Sequence, residues 1–280
     1  SFCLINIVES RSSSVSMTGT WSVSAKRSRY VNVENYNPND FDQLYHLNSR
    51  VTSAIDPAGF RSQELLHDGQ GDLAGILASD SSASYPMEPS ERLDSPDWKC
   101  LSDISLTCRR SVSEPKGCRI DMKCLSMILS AYAVQHNGLR LTPSGGALYP
   151  LSLYVLRELE DGDYRLAAYN PSEHSLVGIR LVSRESALSA YAGAWLGDSP
   201  KLSTAIFISG SLWRAKAKYG ALAYRLINIE AGALAQTMQV IASNLGVHSR
   251  ISMEWFEDHL DELLNLDGRE NFFVTSLIAY

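Results

Sequence analysis

Three stretches of the 280-residue chain combine residue types that do chemistry. Pro143, Ser144, Gly145 and Gly146 open the run PSGGALYP, which leads into the apolar segment LSLYVL. Two glycines beside a serine clear side chains from one patch of backbone, so that N–H groups can point at a phosphate or a flat ring. Taken alone, the same stretch is equally a tight turn ahead of a strand. Upstream, in CRRSVSEP, Arg109, Arg110 and Ser111 offer two guanidinium forks and a hydroxyl just before a helix. Such forks bind phosphate through paired charge-assisted hydrogen bonds; a solvated basic corner is the alternative. Downstream, in LWRAKAKYGALAYRLINIEAG, Lys216, Lys218, Tyr219, Tyr224 and Arg225 gather ahead of a buried helix. A lysine entering a buried element either snorkels out or is desolvated, and desolvation moves it toward general-base range.

Other chemistries lose ground on pattern. The glycine run lacks the GK[ST] ending of a P-loop, and no GxGxxG fingerprint follows a strand, so nucleoside triphosphate and Rossmann-type dinucleotide sites are not supported. The six histidines form no HExxH pair and the five cysteines no CxxC, so no metal is expected and the thiols should be reduced. A formal net charge of −6 gives no basic footprint for nucleic acid. No apolar run approaches the length of a membrane span, and the opening SFCLINIV lacks the basic flank of a signal peptide, which leaves the cytoplasm as the expected location.

These residues need elements to hold them. Residues 1–99 read as an accessory region: WSVSAKRSRYVNVENY alternates like one or two strands, and the stretch from His67 to Trp98 has the Gly, Asp, Ser and Pro of a linker. From Cys100 to Tyr280 the periodicities strengthen. DMKCLSMILSAYAVQ places Leu125, Ile128, Leu129 and Tyr132 on one helical face. LSLYVLREL and YRLAAYNP form a β-hairpin across EDGD. RESALSAYAGAW and EWFEDHLDELLNL read as helices, LSTAIFISGS as a buried strand, and NFFVTSLIAY as a final strand. YRLINIEAGALAQTMQVIASNLG is a long helix closed by Gly246, apolar on nearly every side and carrying small residues at Ala231, Gly232, Ala233 and Ala235. It belongs in the core or at a subunit interface. The order of elements fits an α+β domain with a mainly antiparallel central sheet flanked by helices.

RRS, PSGGALYP with LSLYVL, GDYRLAAYNPSEHSL and KYGALAYRLINIEAGALAQTMQVIASNLGV, in that order, resemble the azoline dehydrogenases of the SagB type, a branch of the flavin-dependent nitroreductase superfamily. The resemblance runs from Leu101 to Tyr280. It implies a nitroreductase-like fold, an FMN cofactor and a homodimer with FMN at the subunit boundary, the long helix lying at the dimer interface. Arg109, Arg110 and Ser111 would take the FMN phosphate and ribityl chain, although relatives often carry a further basic residue where this chain has Ser113. Pro143, Ser144, Gly145 and Gly146 would lie along the flavin, with Ser144 donating to it. The segment HSRISMEWF would cover the flavin's other side, with Trp255 where relatives often have glycine. Lys218 and Tyr219 would be the catalytic pair, with Tyr224 and Arg225 in support. The implied activity is oxidation of peptide thiazolines and oxazolines to thiazoles and oxazoles during maturation of a ribosomally made peptide. The implied partners are the azoline-containing precursor peptide and the cyclodehydratase and leader-binding subunits of a synthetase complex, where residues 1–99 could dock. Two other readings stay open: a different flavin oxidoreductase of the superfamily, or a non-catalytic assembly subunit.

Overall fold

The computed structural model describes Tyr85 and residues 87–112, 120–191 and 202–280, all within the unit Thr52–Tyr280. The strand-like stretch WSVSAKRSRYVNVENY lies outside the described residues. So do Cys3, Ser113 and Cys118.

The strands are β1 (Ser90–Arg92), β2 (Leu151–Glu158), β3 (Tyr164–Asn170), β4 (Ser175–Val182), β5 (Thr204–Ser211), β6 (Ser249–Ser252) and β7 (Asn271–Ala279). They form one seven-stranded sheet in the order β1-β4-β3-β2-β5-β7-β6, antiparallel at every pairing. The helices are α1 (Trp98–Ser102), α2 (Met122–Leu129), α3 (Arg184–Ala190), α4 (Leu212–Tyr219), α5 (Ala223–Asn244) and α6 (Glu257–Leu264).

Both faces of the sheet are covered, which is why its central strands are nearly continuous apolar runs. Side chains alternate across a strand. Leu151, Leu153 and Val155 of β2 join Ile206 and Ile208 of β5 in a core with α2 and α5. Tyr154 and Leu156 join Ala205 and Phe207 in a second core with α3 and α6. The hairpin, the buried strand β5 and the expected helical face of Leu125, Ile128, Leu129 and Tyr132 all appear as read, the last four fully buried.

Helix ends follow local chemistry. Asp121 caps α2 by accepting the Cys124 N–H at 2.6 Å. After α5, Gly246 takes φ +76, the Gly246 N–H donates to the Ser243 carbonyl and the Val247 N–H to the Ala242 carbonyl. That pair of bonds is a Schellman closure, and it confirms Gly246 as the stop.

One close approach ties α5 to the sheet that positions the site. A Cβ added at Gly210 of β5 would sit 2.5 Å from Ile227 Cγ2, deep in the core. Gly210→Ala is therefore expected to cost about 1–3 kcal/mol through overpacking, read as a lower midpoint at unchanged slope in urea unfolding.

Candidate functional site

The glycine run forms a single 3-10 turn, Gly145–Ala147, entered from an extended Ser144. Gly146, Ala147 and Tyr149 have φ of +62°, +55° and +48°. This tight path is pinned from α4: Arg214, almost fully buried, donates through Nε to the Leu148 carbonyl. Lys218 follows Arg214 by four positions, one helical turn, and so shares its face. A Cβ built on Gly146 would lie 2.5 Å from Lys218 Nζ and 2.7 Å from Tyr219 Oη, and one on Gly145 would lie 3.4 Å from Tyr219 Cε2. The space the missing side chains leave is taken by the lysine and tyrosine themselves. In this structure the glycines seat the Lys218–Tyr219 pair. Both members are half-buried rather than enclosed, with Lys218 Nζ 5.6 Å from the Tyr219 ring centre. α4 ends directly after them at Gly220, φ +49°. Tyr224 stacks on Phe272 at 5.3 Å between ring centres.

Beneath the loop lies a polar cluster. Ser144 Oγ accepts the Tyr149 N–H at 2.8 Å. Glu230 is 5% exposed. The Tyr132 hydroxyl donates to Glu230 Oε1 across 3.5 Å and accepts the Leu151 N–H at 3.2 Å. The Arg140 guanidinium lies 4.0 Å from the centre of the Tyr132 ring and 4.5 Å from that of Tyr149. Burial pushes the Glu230 carboxyl up to about 7 against the opposing pull of Ser144, Arg140, Tyr132 and Arg214. Burial likewise drives the Tyr132 phenol upward, out of titration range. Glu230, Arg140 and Arg214 were not singled out by the sequence reading. A glutamate in the middle of an otherwise apolar helix was the available signal.

Arg109, Arg110 and Ser111 come together elsewhere. Arg109 Nη1 donates to Ser111 Oγ at 3.2 Å and to Gln239 Oε1 at 3.3 Å. Gln239 Nε2 in turn donates to Ser111 Oγ and to the Ser249 carbonyl, each at 3.2 Å. Arg110 folds back, donating to the Thr107 and Arg109 carbonyls at 2.9 Å each. Glu230 and Gln239 mark the two clusters on α5. Nine positions separate them, about 13 Å along the helix axis and half a turn around it. The two clusters therefore lie apart on one chain.

The segment HSRISMEWF lies partly in the sheet and partly in the core. Its first half is β6, paired with β7, and Trp255 is a core residue. The indole Nε1 donates to Ser276 Oγ at 2.9 Å, and the ring packs on Tyr191 and Phe207 at 4.8 and 4.7 Å between centres. A buried hydrogen-bond partner and two aromatic neighbours fix the tryptophan in the core opposite α5. Among the described residues no group of three His, Cys, Asp or Glu is placed to hold a metal, and no helix is long and apolar enough to cross a membrane.

The nitroreductase family model matches residues 106–280. A nitroreductase-family protein of Methanocaldococcus jannaschii is 32% identical over 174 residues, 59% of this chain and 84% of that one. The microcin B17-processing protein McbC of Escherichia coli is 27% identical over 135 residues, 45% of this chain and 48% of McbC, about half of that relative. Among solved structures, a nitroreductase of Ralstonia eutropha superposes with a TM-score of 0.55 at 18% identity, covering 71% of this chain and 91% of its own. A chain of the Escherichia coli microcin synthetase McbBCD complex, with truncated pro-MccB17 bound, gives 0.53 at 19%, covering 88% and 94%. Both likenesses show the same fold: an antiparallel sheet flanked by helices.

Proposed function

We propose, given that the chain belongs to the nitroreductase family of flavin oxidoreductases, that it binds FMN and oxidises peptide thiazolines or oxazolines to the aromatic azoles. The observation that carries this reading is the Lys218–Tyr219 pair seated on Gly145 and Gly146. The likeness to McbC, a processing protein for a peptide product, supports the same substrate class.

The donor set fits FMN. Gly145 and Gly146 open a 3-10 turn, and the first N–H groups of such a turn have no partner within it, which leaves them available to flavin oxygens. Arg109, Arg110 and Ser111 supply guanidinium and hydroxyl donors of the type that hold a phosphate. Pro143 and Ser144 shape the entry to the turn. When bound, FMN supplies the acceptor for a hydride from the azoline ring. The chain's own part is proton chemistry and placement. Lys218 takes the proton from the ring carbon next to the peptide carbonyl, Tyr219 orients it, and the rigid loop holds the ring in register.

The separation of the two clusters on α5 supports a homodimer in which each chain contributes one half-site to each FMN. The outward side of α5 accommodates a second copy: Ile229 is 63% exposed, and a Cβ at Gly232 would meet nothing within 4 Å. We assign residues 100–280 to the flavin domain and residues 1–99 to docking on the cyclodehydratase and leader-binding subunits of a synthetase. The sheet nevertheless takes β1 from the end of that first region.

The test is the visible spectrum of the purified protein, identification of the released cofactor by mass, and incubation with an azoline peptide, which should lose two hydrogens per ring. A colourless protein that takes up no added FMN would sink the flavin assignment. Arg109→Ala is expected to weaken FMN retention by about 10- to 100-fold, the worth of one charge-assisted bond. Arg110→Ala should also weaken it, and unchanged flavin content in both variants would remove the phosphate assignment. The higher identity to the Methanocaldococcus protein favours a second reading, a flavin reductase fed by NAD(P)H. Rapid bleaching of the flavin by NADPH, with no turnover of azolines, would select it.

A further inference from the structure

At the β1 end of the sheet, on the face that α2 and α5 cover further along, lies a groove of about 120 Å³. Its floor is Val155, Ala167, Leu176 and Gly178, from β2, β3 and β4. Ala167 and Gly178 stand opposite each other in register, and these two smallest residues of the floor leave a dip. Pro89 and Ser90, both exposed, form one rim, so the groove opens at the surface. A pocket for a whole small molecule holds about 300–1,000 Å³. This one has room for a single side chain.

The two ends of the groove are charged. Arg157 of β2 and Arg165 of β3 are direct cross-strand partners, so both side chains rise from the same face with Cβ atoms about 5 Å apart. Like charges so placed repel each other. Among the described residues no carboxylate pairs with either guanidinium. The adjacent acids are engaged elsewhere: Glu158 pairs with Arg184 at 3.0 Å, and Asp163 accepts the Arg184 N–H at 3.0 Å. Arg157 Nη1 donates to Met122 Sδ at 2.7 Å, a contact with a neutral thioether that places the guanidinium and leaves its charge uncompensated. At the opposite end stands Glu91 of β1, paired with Leu176. Leu176 in turn pairs with Tyr169, four residues along β3 from Arg165.

Side chains on one face of a strand recur every two residues, about 6.7 Å. Counted along β3, the arginines lie in the row of Arg165, the dip in the row of Ala167 and Glu91 in the row of Tyr169. We propose that this groove docks an extended peptide segment with an acidic residue, an apolar residue two positions away and a basic residue two positions beyond that. The peptide carboxylate lies between the two guanidinium forks and relieves their repulsion, the apolar side chain fills the dip, and the cation meets Glu91. A free anion would use the arginine end alone and leave the apolar floor in water, so the lining favours a peptide. The groove shares no residue with the Lys218–Tyr219 or Arg109 clusters, and failure of the flavin reading would leave the docking site standing.

The test is fluorescence anisotropy of the full chain at low ionic strength, with the fluorescein-labelled peptide Gly-Glu-Ser-Leu-Ser-Lys-Gly and a counterpart carrying glutamine for glutamate. Wild type is expected to bind the glutamine peptide about tenfold more weakly, the worth of one charge-assisted hydrogen bond. Arg165→Thr should weaken the glutamate peptide by a similar factor and bind both peptides equally, the coupling that a double-mutant cycle isolates. Threonine suits a strand, so the fold is retained. Inorganic phosphate should displace the peptide no better than chloride at the same ionic strength. Equal binding of the two peptides by wild type would overturn the docking site, as would an Arg165→Thr loss that is the same for both. Absence of binding at about 1 mM peptide, where only a few kcal/mol of affinity is needed, would also overturn it. Displacement by phosphate beyond the effect of ionic strength would reassign the arginines to a small anion and overturn the peptide site in the same way.

Discussion

Lys218→Ala is expected to leave FMN bound and to reduce azole formation by about 10²- to 10⁴-fold, the usual contribution of a positioned general base. Lys218 lies in the last turn of α4, half-buried, and alanine is a good helix former. The helix should persist, and so should the Arg214 bond that pins Leu148. The loss then falls on chemistry. It is read by flavin content, from the visible spectrum, set beside the rate at which an azoline peptide reduces the bound flavin in a single turnover. A variant with full flavin and wild-type reduction rate would remove Lys218 as the base. A variant that loses its flavin would instead make Lys218 part of the cofactor site.

The second large effect should come from one methyl group. Gly146→Ala introduces a Cβ 2.5 Å from Lys218 Nζ and 2.7 Å from Tyr219 Oη, at a φ of +62°. Both obstructing atoms are tips of side chains and can swing away, so the stability cost is limited to about 1–2 kcal/mol of left-handed backbone strain. The Lys218–Tyr219 pair, however, is driven off its seat, and if it acts in catalysis as proposed, displacement by about 1 Å costs on the order of 100-fold in rate. Gly138→Ala is the control: φ is +75° and nothing lies within 4 Å of its Cβ position. It should show the same small drop in melting temperature with unchanged turnover. Equal turnover in the two variants would mean that the seat on Gly146 has no part in catalysis.

Much of this architecture is legible in the sequence where a segment is buried on a consistent side. β2, β5 and β7 are apolar runs bounded by turn residues, and the face of α2 repeats at helical spacing. β4 is harder to read because Gly178 and Arg180 interrupt its apolar residues and several positions are half-exposed. β6 is only four residues long and owes its strand state to pairing with β7. α4 is not evident as a helix of its own, because Lys216 and Lys218 read only as polar residues ahead of the long helix, although Gly220 at its positive-φ stop is the cue to a helix end. The loop and the Lys-Tyr pair announce themselves by residue type. Their contact does not, since Gly146 and Lys218 meet only through the tertiary fold. Arg140 and Arg214 are illegible for the same reason: each is unremarkable in its own segment, and they approach Glu230 from different elements. Trp255 stands where the resemblance leads one to expect glycine, and the groups that hold its indole, Ser276 and Phe207, come from β7 and β5, distant in sequence.

The placement of β7 between β5 and β6 bears on how the chain is made. About 60 residues separate Ser211 from Asn271, and a ribosome needs on the order of several seconds to add them. Throughout that interval the fully buried, apolar β5 has emerged with one edge paired to β2 and the other edge open, the condition in which nascent chains stick to one another. Cells producing this protein should therefore shield β5 with a holding chaperone until β7 arrives, and slowing translation just before Asn271 should lower the yield of soluble protein more than slowing it after β7 is complete.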